Sequence, residues 1–302
     1  MQRSLEGLIL QGIGGFYYVE AADGIYECRA RGALRKQGIT PLAGDYVTIT
    51  VDEAGKGMVE TVAERKNFLI RPPVANLDAL VLIVSVTDPE PSLPVIDRML
   101  AGAEHKGIEP IIVFNKTDLG SPEDLQTLYG QAGYTVVSVC ANEPVTIDAL
   151  RMLLDGKICA FAGNSGVGKS SVINVLDPTL ALSVGETSKK LGRGRHTTRS
   201  ARLYPQSHGG YLVDTPGFSS LDAQRLEHID KEDLCYCFRE FEPFLDGCRF
   251  TSCSHTVEKG CCVREALEAG KIAPSRHESY VALYNEAKEW KEWENKTIFG
   301  EV

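Results

Sequence analysis

The stretch FAGNSGVGKSS, Phe161 to Ser171, fits the pattern G-x-x-x-x-G-K-[ST], with Gly163, Gly168, Lys169 and Ser170 in the defining positions. Glycines let successive backbone N–H groups turn inward around a phosphate, and the helix that follows adds the positive end of its dipole. In this reading Gly163, Asn164, Ser165, Gly166, Val167 and Gly168 line the phosphates, and Ser171 continues the cradle into the helix. Lys169 neutralises the β- and γ-phosphate oxygens and the Ser170 hydroxyl ligates Mg²⁺. KICAFA before the loop reads as a strand and SSVINVL after it as a helix. The alternative is a glycine-rich β–α turn that carries Lys-Ser by chance, and the full motif with this context on both sides favours the phosphate loop.

Upstream, where most chains of this kind would not have it, stands FNKTDL, Phe114 to Leu119. Asp118 can accept hydrogen bonds from guanine N1–H and the 2-amino group. Adenine offers neither donor, so the carboxylate would be left unpaired, a mismatch that discriminates strongly. Asn115 would face the O6/N7 side, the Lys116 stem would lie along the ring, and Thr117 sits between them. The tetrapeptide is also a good turn, but here it ends the apolar strand IIVF, where ligand loops of α/β sheets belong. The run SVCA ends the next strand, and Ser138, Cys140 and Ala141 are candidates to close over the base, an ordinary strand end being the alternative. Downstream, YLVDTPGF offers Asp214 for Mg²⁺ and the Gly217 N–H for a γ-phosphate. Thr197 and Thr198 in the intervening basic segment are further Mg²⁺ candidates.

From Asp78 onward, apolar runs (ALVLIVSV, PIIVF, YTVVSV, KICAFAG) alternate with helical patterns such as LPVIDRMLAGAEHKG, the texture of a parallel sheet covered by helices. The residues before it are different. Short runs such as GFYYVEA, IYECRARG and DYVTITV, punctuated by Gly- and Asp-rich turns, suit a small β-barrel, an OB-fold being the best match. RPPVANLD reads as a linker. The expected organisation is a barrel over residues 1–72, an α/β nucleotide-binding domain over 73–225, and a Cys-rich and helical module over 226–302.

In that last module Cys248-x4-Cys253-x-His255-x5-Cys261 offers three thiolates and an imidazole, a normal tetrahedral Zn²⁺ set. Four protein ligands leave no open position, which argues for a structural ion. Cys262 is an adjacent extra thiol. Nine cysteines in a 302-residue chain argue for reduced thiols and metal ligation rather than a disulfide framework. The apolar runs are too short to span a bilayer and the N-terminus lacks a secretory signal, so a cytoplasmic location is expected. The net charge of −9 excludes nucleic-acid coating through bulk positive charge. Local patches remain: Arg29, Arg31, Arg35 and Lys36 with Tyr17, Tyr18 and Tyr26 in the barrel, and Lys189 through Arg202 in the switch segment. A solvated strand face is the alternative for the first, since residues 1–72 hold nine basic and nine acidic side chains.

The order is base-recognition loop, base-closing loop, phosphate loop, switch threonines, then Asp-x-x-Gly: a GTPase domain with its ends joined and reopened elsewhere. With GRGRHTT, DTPGF and the Cys/His cluster, the chain resembles the RsgA (YjeQ/YloQ) family of circularly permuted GTPases that act in maturation of the bacterial small ribosomal subunit. The resemblance covers nearly the whole chain. It implies an N-terminal OB-fold, GTP hydrolysis stimulated by the small subunit, one structural zinc on Cys248, Cys253, His255 and Cys261, Mg²⁺ with GTP, and ribosomal RNA as partner. A monomer is expected. Phe218 stands where many GTPases place a water-orienting glutamine, so another group must serve. The resemblance favours His196; a basic loop residue touching RNA is the alternative. Slow hydrolysis in isolation follows, the competing reading being a GTP-gated RNA-binding factor with negligible hydrolysis.

Overall fold

The computed structural model describes residues 3–70, 72–180, 201–207, 209–214 and 228–289. Strands β1 (Arg3–Ile13), β2 (Phe16–Ala21), β3 (Gly24–Ala30), β4 (Tyr46–Val51) and β5 (Gly57–Val62) close into a barrel in the order β1-β2-β3-β5-β4, β4 returning to pair with β1. Alternation along these strands turns Ile9, Val19, Cys28, Val47, Ile49, Val51 and Val59 inward. Helix α1 (Gly32–Lys36), between β3 and β4, adds Leu34 to that interior.

RPPVANLD is not a free linker. Strands β6 (Phe68–Ile70) and β7 (Pro73–Ala75) form a hairpin, and Val74, Ala75 and Leu77 are fully buried. Ala75 N–H donates to the Ala43 carbonyl at 2.9 Å, and Asn76 Nδ2 donates to the Gly44 carbonyl at 2.9 Å. The prolines do not prevent this, because a short edge ribbon tolerates a missing N–H. The half-buried Arg65 adds an anchor, its guanidinium donating twice to the buried Asp45 at 2.7 Å.

The α/β sheet runs β10 (Thr135–Ser138), β9 (Glu109–Asn115), β8 (Ala79–Ser85), β11 (Ile158–Ala162), β13 (Tyr211–Asp214) and β12 (Arg202–Pro205). All neighbours are parallel except β12 on β13. Every residue of β8 is buried, as a strand covered on both faces requires. Leu80, Leu82 and Val84 face one core with α2 (Leu93–His105) and α3 (Glu123–Gln131). Ala79, Val81 and Ile83 face the other with α4 (Asp148–Leu154) and α5 (Lys169–Leu176). The first core continues into the barrel through Leu8 and Leu10, and β1 pairs β12 at Gln11 and Arg202, so barrel and sheet share one hydrophobic interior.

In the C-terminal unit, 3₁₀ segments Leu234–Cys237 and Arg239–Gly247 precede α6 (Cys262–Glu268) and α7 (Pro274–Glu289). Phe238, Phe241, Val263, Ile272 and Tyr280 form its core, which closes onto Ala101 of α2. Among the described residues no helix is long and apolar enough to cross a membrane.

Candidate nucleotide site and metal centre

Parallel strands bring their C-terminal ends to one edge of the sheet, and the candidate loops lie there. The loop from Gly163 to Gly168 joins β11 to α5. Gly163 has φ +143°, and a Cβ there would lie 2.2 Å from the Ile83 carbonyl oxygen. Gly168 has φ +91°, and its Cβ would lie 2.3 Å from Asn115 Nδ2. Both positions need glycine for shape and for space. Val167 is buried beneath the loop, and Asn164, Ser165 and Gly166 face outward to differing degrees. The Lys169 ammonium donates to the carbonyls of Gly163 and, at 3.1 Å, Asn164. Burial lowers its pKa from the ordinary lysine value. Ser170 is buried in the first turn of α5, with Ser171 half-buried after it.

Asn115, last residue of β9, clasps this loop. Its Nδ2 donates to the Val167 carbonyl at 2.9 Å, while its buried Oδ1 has no partner among the described residues. Lys116 adopts φ +65°, and its ammonium donates to the Asp88 carbonyl. Thr117 Oγ1 donates to the Val139 carbonyl at 3.2 Å, tying the base loop to the next strand end. Asp118 is exposed, and its Oδ2 accepts from Asn142 Nδ2 at 3.3 Å.

At the closing loop, Gln126 Nε2 donates to Ser138 Oγ at 2.8 Å. Val139 N–H donates to the Phe114 carbonyl at 2.8 Å and Cys140 N–H to Thr146 Oγ1 at 2.9 Å. Ser138 and Cys140 are therefore engaged within the fold, and the Ala141 N–H follows them without a described acceptor. Asp214 ends β13 beside β11. His196, Thr197, Thr198, Gly217 and Phe218 lie outside the described residues.

Sequence reasoning missed two parts of this edge. Asn142 and Thr146 carry no motif, and only their nearness to SVCA marked them. The loop between β8 and α2 is the other. Ser85 Oγ donates to the Asp88 carbonyl at 2.9 Å, and Pro89 packs toward Gly166. Between this loop and the phosphate loop opens a narrow cleft lined by Ser85, Pro89, Glu90, Ser92, Gly163 and Asn164. A proline-rich run directly after a buried strand was the available signal.

The ligand atoms of Cys248, Cys253, His255 and Cys261 all lie within 4.8 Å of one another. Cys248 Sγ is 3.9 Å from Cys261 Sγ, and His255 Nδ1 is 3.6 Å and 3.4 Å from those sulfurs. A tetrahedron with ordinary Zn–S and Zn–N bonds has edges of about 3.8 Å between sulfurs and about 3.5 Å from sulfur to nitrogen. The donor set thus fits zinc in chemistry and in spacing, with Nδ1 as the imidazole donor. Glu258 braces the loop by accepting from the N–H groups of Ser254, Thr256 and Val257 and from the Ser254 hydroxyl. His277 Nε2 and Tyr280 Oη hold the carbonyls of His255 and Ser254, each at 2.8 Å.

On the barrel, Arg29 lies 4.6 Å over the Phe16 ring, Arg31 pairs with Glu60, and Arg35 and Lys36 are exposed in the last turn of α1. Tyr17 and Tyr26 pack against the barrel interior. Of the tyrosines grouped with this patch, only Tyr18 shares the outward face of Arg29, donating to Glu27 at 3.2 Å.

A relative from Alkaliphilus metalliredigens, named small ribosomal subunit biogenesis GTPase RsgA, is 44% identical over 288 residues, covering 94% of this chain and 98% of its own. The crystal structure of YjeQ from Thermotoga maritima matches with a TM-score of 0.81 at 36% identity, over 96% of this chain and 100% of that one. YloQ, described as a circularly permuted GTPase, matches with a TM-score of 0.80 at 34% identity, over 96% of each chain. The RsgA N-terminal domain model matches residues 6–59 and the RsgA GTPase model residues 62–224. With its strand ends in permuted order and its barrel ahead of them, this chain belongs to the RsgA family of circularly permuted GTPases.

Proposed function

We propose that this protein hydrolyses GTP to GDP and phosphate as a ribosome-dependent switch in late maturation of the bacterial small (30S) ribosomal subunit, binding its rRNA. One observation supports the reading: the Asn115 amide donates to the Val167 carbonyl, which ties the candidate base loop to the candidate phosphate loop. The names of the relatives support the ribosomal role.

In this reading Asp118 accepts from guanine N1–H and N2–H, the Ala141 N–H meets O6, and the Lys116 stem lies along the ring. The backbone of Gly163 to Gly168 holds the phosphates, and Lys169 leaves its loop carbonyls for the β- and γ-oxygens. Ser170, Asp214 and the threonines at 197 and 198 would hold Mg²⁺, which supplies charge neutralisation on the phosphates. Phe218 cannot accept a hydrogen bond from the attacking water, so His196 orients it, the small subunit completing the arrangement. Zinc on Cys248, Cys253, His255 and Cys261 shapes the C-terminal unit. Arg29, Arg31, Arg35 and Lys36 contact rRNA as a modest patch, since Arg31 is already paired.

The test is phosphate release from GTP and from ATP, with and without purified small subunits. Release confined to GTP and rising steeply with the particle is expected. GTP binding without stimulated release would replace this reading by a GTP-gated RNA-binding factor.

A further inference from the structure

Strand β8 is apolar from Ala79 to Val84 and ends on a hydroxyl, Ser85, which is fully buried. A buried hydroxyl keeps its place in such a strand only with partners. Ser85 finds two in the loop that follows. Its Oγ donates to the Asp88 carbonyl at 2.9 Å and accepts the Thr87 N–H, more weakly, at 3.4 Å. The loop is thereby folded back over its own strand end. The base loop holds it from the other side: Val86 N–H donates to the Asn115 carbonyl at 3.1 Å, and a Cβ on Gly120 would lie 2.8 Å from Thr87 Cγ2. The Asp88 carbonyl, which has two lone pairs, accepts from both the Ser85 hydroxyl and the Lys116 ammonium. Lys116 reaches it from a left-handed backbone, φ +65°.

We propose that Ser85 is a positioning residue for guanine recognition that acts through Lys116; this rests on the reading of Asn115 to Asp118 as the guanine loop. A free lysine samples many rotamers, and ordering it on binding weakens affinity. Tethering the ammonium orders the methylene stem before any ligand arrives, so the stem is already laid where the base ring would meet it. The tether holds only while its acceptor stands still. Ser85 fixes that acceptor, and without its hydroxyl the peptide after Asp88 can turn and carry the ammonium with it. Ser85 is fully buried and works at one remove from the ligand.

The full chain is titrated with GDP by calorimetry as wild type, Ser85→Ala, Lys116→Met and the double variant. Lys116→Met keeps an apolar stem and loses the ammonium. Ser85→Ala should weaken GDP binding by roughly three- to tenfold, the worth of one hydrogen bond. In the Lys116→Met background the same change should weaken it by less than about twofold, because the group through which the hydroxyl acts is gone. Ser85→Cys, a weaker donor that fills the same space, should give the same pattern and serves if the alanine variant does not fold. An equal loss in both backgrounds overturns the inference and leaves Ser85 as a core hydroxyl that supports the strand end. Wild-type affinity in Ser85→Ala overturns it too. A wild-type chain that binds ADP as well as GDP overturns the guanine reading instead, and is recognised before any variant is compared.

Discussion

Asp118 shows how much one carboxylate can decide. In the proposed reading guanine would present N1–H and a 2-amino group to it, and two hydrogen bonds to a charged acceptor are worth a few kcal/mol together. Asp118→Asn should weaken GTP binding by roughly 10²–10³-fold and should favour XTP, because the amide N–H₂ can donate to the C2 carbonyl of xanthine. Competition among GTP, XTP and ATP for a fluorescent guanine nucleotide checks this; unchanged preference would remove Asp118 from base recognition. Asn115 acts one step back. It bonds Val167, and its amide stands where a Cβ on Gly168 would go. Asn115→Ala removes the clasp and leaves the Val167 carbonyl unpaired, at a cost of about 1–3 kcal/mol. The expected outcome is weaker binding of both GTP and GDP without a change of base preference, read by titration calorimetry. Affinity and selectivity thereby separate into two neighbouring residues.

Elements were unequally legible. The phosphate loop could be read because a motif, a strand before it and a helix after it agree, and β8 because continuous apolar residues mean burial on both faces. The hairpin of β6 and β7 could not, since Pro-Pro suggests a linker and only the carbonyls of Ala43 and Gly44 show where the ribbon docks. Phe16-Tyr17-Tyr18 was also opaque: three consecutive aromatics conceal the period-two alternation that sends Tyr17 inward. Glu258 was missed because its partners are backbone N–H groups of a loop with no repeating pattern. Burial pushes its carboxyl up, but the Ser254 hydroxyl and the loop N–H groups outweigh this and bring its pKa to about 2. A pKa depressed from about 4.5 contributes stability that is full above that value and fades only as pH falls toward 2. Glu258→Gln should therefore release zinc to a chelator about tenfold faster, and by a similar factor at pH 7.5 and pH 5. A difference that vanished already at pH 5 would mean that the carboxyl takes up its proton well above 2 and is not held down by the loop N–H groups.

At the scale of the whole molecule, α2 joins the nucleotide edge to the C-terminal unit. Its leading loop meets Lys116 and the phosphate loop, and its body carries Asp97, Arg98 and Glu104. These bond Arg276, Glu286 and Arg239 of the C-terminal unit. Arg276 is the centre of that joint. It is 1% exposed, bonds Asp97 at 2.7 Å and Glu240 at 2.6 Å, and lies 4.6 Å over the Phe238 ring. Tyr129 Oη also donates to Asp97, at 3.0 Å. Such a pair adds little over an apolar joint of the same shape, yet removing one partner strands the other charge in a dry site. Arg276→Met should destabilise the joint by about 3–5 kcal/mol, because Asp97 and Glu240 are left buried without their cation. Adding Asp97→Asn and Glu240→Gln should recover much of that loss, since neutral amides need less compensation. Denaturant unfolding of the three proteins, read at matched zinc, decides it. If Arg276→Met alone is as stable as wild type, the buried ions do not hold the C-terminal unit on α2. If the triple variant is no better than the single, the loss comes from packing of the Arg276 stem rather than from charge.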